Sequence, residues 1–273
     1  MKNNFNSYFK SLNIEPERPS LALVKALQKK HIATFSFNNI GVLLGESISL
    51  DIEDIIAKIV TKNLGGYCFE HNALMYEVLK SLGFHVRILI AKVLNNQDVD
   101  SPRTHRITLL EWENEQYIVD VGFGSSTPPL VLNIHNTQEE QGYRIISFAH
   151  QTYQLELLKG VGYFILYRFD LAKYTQADCV MGNFYSSNHP NAVFVNNFVI
   201  SLKFSALTLS FRNGIYHRIG KDETEIIEVK SVELLHSIIN NDFSIPLDLL
   251  ACKALFARTL IYDPLGQVLP KRR

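Results

Sequence analysis

The chain has little cysteine, no excess of either charge and no long apolar run, and each shortage removes a class of function. Three cysteines, at positions 68, 179 and 252, are far apart and odd in number, which argues against a disulfide framework and for a reducing compartment. No C-x-x-C pair occurs, so no structural zinc site, and no metal at all, is expected. Lys plus Arg and Asp plus Glu balance at 27 each over 273 residues, leaving no electrostatic footprint for nucleic acid. The terminal Lys271-Arg272-Arg273 is too short to change that and reads as a frayed tail. No stretch approaches the roughly 18 apolar residues of a membrane span, and the first residues, from Met1 to Asn6, lack the apolar centre of a signal peptide. The expectation is a cytoplasmic protein without a membrane partner. Neither a phosphate-cradling G-x-x-x-x-G-K-[ST] loop nor a dinucleotide G-x-G-x-x-G is present, and there is no repeat.

What is present begins with helices. Ser20 can cap a run containing Leu21, Val24 and Leu27, and Asp51 a second with Ile52, Ile55, Ile56, Ile59 and Val60 on one face. After Gly83 the texture turns to strands: Val86 to Val93, Ile107-Leu109, Tyr117-Val119-Val121, Tyr143–Phe148, Tyr153–Leu158, Tyr163–Phe169, Val193–Phe204 and Ala206–Arg212. Asn213-Gly214 is a two-residue hairpin signal. Ser231 can cap Val232–Asn240, and Pro246 can start Leu247–Leu260. Helices first and strands after predict an α+β fold.

One cysteine stands in an unusual setting. Gly65-Gly66-Tyr67-Cys68-Phe69-Glu70 leads into Leu74, Val78, Leu79 and Leu82 at helical spacing, so Cys68 falls in the first turn of a helix. Free N–H groups and the positive dipole end there favour a thiolate, and the glycines leave room beside the sulfur. A thiolate nucleophile needs a base, and the base an orienting acceptor. His105 opens an apolar strand. Asp120 lies in the apolar Tyr117–Gly124 segment, where a carboxylate is costly unless paired. A short turn at Glu113-Asn114-Glu115 makes the two strands a hairpin and brings Asp120 beside His105. Phe123, just past Asp120, is a candidate wall for an aromatic substrate. Cys179 and Cys252 read as core, and His71 as a structural histidine facing away from the sulfur. Ser125-Ser126 could offer hydroxyls or form a turn.

Gly65-Gly66-Tyr67-Cys68-Phe69-Glu70-His71-Asn72, Thr104-His105 and Val119-Asp120-Val121-Gly122-Phe123-Gly124 resemble, in order and spacing, the three blocks of the arylamine N-acetyltransferase family. Phe37-Asn38-Asn39-Ile40 and Tyr185–Pro190 resemble two further blocks. The resemblance implies a Cys68-His105-Asp120 triad, acetyl-CoA as donor and an aromatic amine, hydrazine or hydrazide as acceptor. It also implies a thiol-protease-like core: a helical bundle over residues 1–84, a β-barrel over 85–192 and an α/β lid over 193–273. By family position Thr104, Ser101, Pro102, Tyr185 and Asn191 are candidate contacts for CoA or substrate. Three positions depart from the family pattern: Leu64 and Lys92 stand where Arg is usual, and Asn38 where Glu is usual. A reduced or absent ionic network beneath the cysteine helix is therefore expected, with the triad intact. Two other functions fit the bare residues, a thiol hydrolase or transglutaminase-like enzyme and a non-catalytic acyl-CoA-binding protein.

Overall fold

The computed structural model describes residues 5–259 apart from 17, 98 and 150, so the terminal basic residues and Leu260 lie outside it. The chain opens with α1 (Asn6–Leu12) and α2 (Leu21–Thr34), the latter capped by Ser20, whose hydroxyl accepts the Leu23 N–H at 3.1 Å. A two-residue strand, β1 (Phe37–Asn38), and α3 (Ile40–Leu43) follow. Asp51 caps α4 (Ile52–Ile55), which runs on as a π-helical segment, Ile56–Thr61. Next comes α5 (Cys68–Ser81). It buries Phe69, Leu74, Met75, Val78 and Leu79, each burial contributing about 1.5–3 kcal/mol of hydrophobic stabilisation.

Seven antiparallel strands form the middle of the chain: β2 (His85–Val93), β3 (Arg103–Trp112), β4 (Glu115–Val119), β5 (Leu132–Asn133), β6 (Tyr143–Ala149), β7 (Thr152–Lys159) and β8 (Gly162–Asp170). Their order across the sheet is β5-β4-β3-β2-β8-β7-β6. The two outer strands approach each other, so the sheet curls nearly closed around Leu89, Ile107, Ile118, Leu155 and Tyr167. Helices α6 (Gln176–Asn188) and α7 (Val193–Asn196) lead into β9 (Val199–Lys203), β10 (Thr208–Arg212), β11 (Ile215–Ile219) and β12 (Thr224–Glu228). These four strands form a second antiparallel sheet with β1 at its edge, in the order β1-β9-β10-β11-β12. Helices α8 (Val232–Ser237) and α9 (Leu249–Thr259) close the described chain.

The α+β class matches the expectation, and several elements correct it. Val193–Phe204 is not one strand: its first four residues turn as α7, and the ladder begins at Val199. Helix α6 and strand β12 had no counterpart in the reading of the sequence. The last helix starts at Leu249, and its cap is Asp248, whose carboxylate takes the Ala251 N–H at 2.7 Å. Asn213 and Gly214 do form the tight β10–β11 turn, both with positive φ.

Candidate active site

Cys68 is the first residue of α5. The turn before it is built of glycine for a reason: Gly65 has φ +64°, and a Cβ there would stand 2.1 Å from the Ser36 carbonyl oxygen. The helix start is closed by Glu70, whose Oε2 accepts the Tyr67 N–H at 3.0 Å. The sulfur lies against β3. It donates to the Thr104 carbonyl oxygen at 3.5 Å and receives the backbone N–H groups of Arg106 and Phe69. A carbonyl only accepts, so this contact holds a thiol. Burial is the main force pushing the Cys68 thiol up, the Asp120 carboxylate adds to it, and the two N–H groups oppose them. Burial thus opposes the thiolate expected from the helix start. A dipole effect of about 0.3–1 kcal/mol does not offset removing the sulfur from water.

His105 lies on β3 between the two residues whose backbone touches the sulfur. The β3–β4 register pairs Thr108 with Val119, which puts Asp120, the first residue past β4, next to the histidine. Nε2 of His105 is 2.8 Å from Asp120 Oδ2. Asp120 is fully enclosed. Burial pushes its carboxyl up, but His105 and the hydrogen bonds from His105, Asn72 and Gly122 outweigh burial and hold it below the usual range. An ionised carboxylate only accepts, so Nε2 carries the proton and Nδ1 is left as the basic nitrogen.

Three residues that sequence reasoning left without a role complete the frame. Asn72, one turn after Cys68 on the same helical face, donates to Asp120 Oδ1 at 3.0 Å and to the Arg106 carbonyl at 2.7 Å, and accepts the Val121 N–H at 3.0 Å. The i,i+4 spacing from the cysteine was the available signal. Tyr167, on β8, donates to Asp120 Oδ2 at 3.1 Å and sits 5.0 Å from the His105 ring; nothing in the sequence pointed to it. Gly122 passes so close to the helix that an added Cβ would meet Cys68 Cα at 2.9 Å.

Phe123 stands edge-on to the His105 ring at 4.8 Å. Thr104 meets the sulfur through its carbonyl. Ser101 and Pro102 lie in the segment entering β3. Tyr185 and Asn191 instead gather on His189, Tyr185 by stacking at 4.4 Å and Asn191 through its N–H to Nδ1 at 3.2 Å. Ser125 and Ser126 form a turn with Gly124, pinned by Thr127 Oγ1, which takes the Phe123 N–H at 2.7 Å. Cys68 and His105 are each 2 % exposed, and two clefts of about 560 and 400 Å³ are lined by other residues. No helix among the described residues is long and apolar enough to cross a membrane.

The sequence profile of a family described as N-acetyltransferase matches residues 20–251. The chain is 33% identical over 252 residues to an arylamine N-acetyltransferase of Escherichia coli strain K12, covering 89% of both chains. The chain belongs to the arylamine N-acetyltransferase family. It is 32% identical over 255 residues, and 90% of each chain, to a Salmonella typhimurium protein named arylamine N-acetyltransferase / N-hydroxyarylamine O-acetyltransferase. Among solved structures, the arylamine N-acetyltransferase of Salmonella typhimurium superposes with a TM-score of 0.87 at 29% identity, over 93% of this chain and 97% of that one. The Mycobacterium marinum arylamine N-acetyltransferase in complex with CoA superposes with a TM-score of 0.86 at 25% identity, over 94% and 98%.

Against the pattern expected of an arylamine N-acetyltransferase, the ionic support of the cysteine helix is not lost. This corrects the prediction made from Leu64, Asn38 and Lys92. Lys58, from the π-helical segment, places Nζ 2.7 Å from Glu70 Oε1, and the Glu70 side chain is only 3% exposed. A buried carboxylate needs a counter-charge, and here the cation comes from a different element. A lone lysine inside Ile56-Ala57-Lys58-Ile59-Val60 was the signal. Asn38 is satisfied by backbone instead, donating to the Leu64 carbonyl at 3.0 Å and accepting the Ile40 N–H at 3.0 Å. Lys92 pairs at the surface with Asp100.

Behind the helix start runs a fully buried chain of polar groups. His71 Nε2 lies 3.2 Å from the Ser36 carbonyl, His71 Nδ1 2.8 Å from His31 Nε2, and His31 Nδ1 2.9 Å from Tyr8 Oη. The carbonyl fixes every proton. His71 donates through Nε2, His31 donates to His71, Tyr8 donates to His31, and both imidazoles are neutral. His71 thus faces away from the sulfur, as expected, and ties α5 to α2 and α1.

Proposed function

We propose that this acetyltransferase moves an acetyl group from acetyl-CoA to the nitrogen of an arylamine, arylhydrazine or hydrazide through an acetyl-Cys68 intermediate, and to the oxygen of N-hydroxyarylamines. The observation that supports it is His105, held by Asp120 through Nε2, lying between the two residues of β3 whose backbone touches the Cys68 sulfur.

The steps follow from the protonation states above. Nδ1 of His105 takes the Cys68 proton as the sulfur attacks the thioester carbonyl, so the thiolate forms when the substrate is engaged. The new S–C bond forms, the bond from carbon to the CoA sulfur breaks, and the imidazolium returns the proton to the departing CoA. Asp120 stays ionised and stabilises the imidazolium. The backbone N–H of Cys68, at the start of α5, stabilises the oxyanion, at about 3 kcal/mol per donor. The amine then attacks the acetyl-cysteine. His105 takes its proton, the S–C bond breaks, and the thiol reforms as that proton returns. An arylamine is already neutral near pH 7, so an imidazole suffices as base. Phe123 and Thr104 border the acceptor, and Ser101, Pro102, Tyr185 and Asn191 contact CoA.

Intact-protein mass spectrometry after mixing with acetyl-CoA tests this reading. One acetyl group should appear on Cys68, persist in buffer and be discharged by an arylamine. An acetyl-enzyme formed by Cys68→Ala overturns the nucleophile. Discharge by water as fast as by amine overturns the acceptor.

A further inference from the structure

We propose that the cleft beneath α5 and α6 is a second ligand site, distinct from the sulfur, that binds a small molecule with an oxyanion head and an apolar body. The deciding group is Arg106. Its backbone serves the active-site frame, while its side chain points to the other face of β3, where it is 2 % exposed and lines a cleft of about 560 Å³.

A guanidinium keeps its charge, and a buried charge is ordinarily paired. Arg106 has no carboxylate within 4.0 Å among the described residues. Its one hydrogen bond there is from Nη1 to Gln176 Oε1 at 3.2 Å, and Nε has no partner. The Tyr76 ring, with the guanidinium 5.4 Å from its centroid, supplies only a cation–π contact. Of the nearby acids, Asp51 takes the Glu53 N–H at 2.8 Å and Glu111 faces Arg87 at 3.4 Å, while Glu77, 4.0 Å from Lys80, acts on Arg106 by its charge without bonding to it. Lys173 adds a further positive charge at the exposed rim. A fork-shaped cation without a bonded counter-ion matches the two oxygens of a carboxylate or phosphate. Ile52, Val86 and Ile88 offer the apolar wall for the rest of the molecule, and the volume lies in the range of about 300–1,000 Å³ typical of small-molecule sites.

The test is titration calorimetry of the whole chain with inorganic phosphate and with benzoate, each repeated with CoA at saturation. Saturable binding of both anions is expected, benzoate the tighter because its ring has a wall to meet, and unchanged by CoA. Arg106→Met should weaken benzoate by about thirtyfold or more, the loss expected when a buried charged partner is removed. The exposed Lys173→Glu should weaken it by about threefold, and this variant decides the matter if Arg106→Met does not fold. No saturable binding to the wild type, displacement by CoA, or binding unaffected by either substitution overturns the proposal.

Discussion

Acid should loosen this protein from within the N-terminal helices before it reaches the carboxylates. His31 and His71 are fully buried and neutral. Burial above all holds His71 down at about 4; burial, then repulsion from His71, holds His31 well below its ordinary value of 6.5. In the unfolded chain both titrate near 6.5. With folded values below unfolded ones, the unfolded state binds more protons in the interval between them. The stability is therefore complete above pH 6.5 and drains as pH falls from there towards the folded values. For His71 the interval of 6.5 to about 4, at about 1.4 kcal/mol per pH unit, amounts to about 3 kcal/mol. His31 adds to it in the same sense. Against a typical total of about 5–15 kcal/mol, that is enough to unfold a marginal protein. His71→Gln is the informative variant, since a glutamine can still donate to the Ser36 carbonyl and accept from His31 yet takes up no proton. Urea unfolding at several pH values between about 7 and 4.5 should show the wild type losing stability steadily. The glutamine variant should lose it at roughly half the slope. A flat wild-type profile, or equal slopes in the two proteins, refutes the reasoning.

The site makes further predictions. Asp120→Asn removes the only-accepting partner of His105 Nε2 and lets the proton move to Nδ1, so acetylation of Cys68 in a single turnover should slow by about 10⁴; a loss under about tenfold would count against the assigned tautomer. Gly122→Ala sets a Cβ 2.9 Å from Cys68 Cα. The same assay should show about a hundredfold loss from the displaced loop, and a wild-type rate would mean that the close approach does not position the sulfur. Lys58→Met leaves Glu70 buried without its counter-charge and should cost about 3 kcal/mol by urea unfolding; a variant as stable as the wild type would remove the ion pair from the account of the helix start. Finally, Asp120 is held below its usual value by His105 and three hydrogen bonds against the pull of burial. Its contribution is present above about pH 4 and lost below, as the protonated carboxyl stops accepting. Asp120→Asn should flatten the acid limb of the unfolding profile there, and an unchanged limb would contradict this.

How much of this was legible in the sequence depended on whether the signal was local. The glycine pair and the apolar spacing after it gave α5, and the Glu113–Glu115 turn gave the hairpin that sets Asp120 beside His105. Helix α6 was invisible because its pattern is inverted. The residues it buries are Cys179, Gly182, Asn183 and Ser186, while Val180, Met181 and Phe184 are more than half exposed. Gly182 is there because a Cβ would strike Phe69 at 2.5 Å, a requirement that no periodicity reports. Tyr167 and Asp120 meet across 47 positions of sequence. Lys58 drew no reading at all beside the apolar face of Ile55, Ile56, Ile59 and Val60, and only the buried Glu70 opposite explains it.

The enclosure of Cys68 carries a kinetic meaning. Cys68 as a whole residue is only 2 % exposed, so a thioester would reach its sulfur only if the walls part first. Under the proposed function, turnover would then be the product of a chemical rate and an opening step, and the apparent donor affinity would be weakened by the fraction of molecules that are shut. Helix α6 is seated through Gly182 on Phe69, the residue next to the sulfur, and buries Cys179 in the same cluster as Cys68. Substitutions along it can retune donor affinity without altering any atom that reacts.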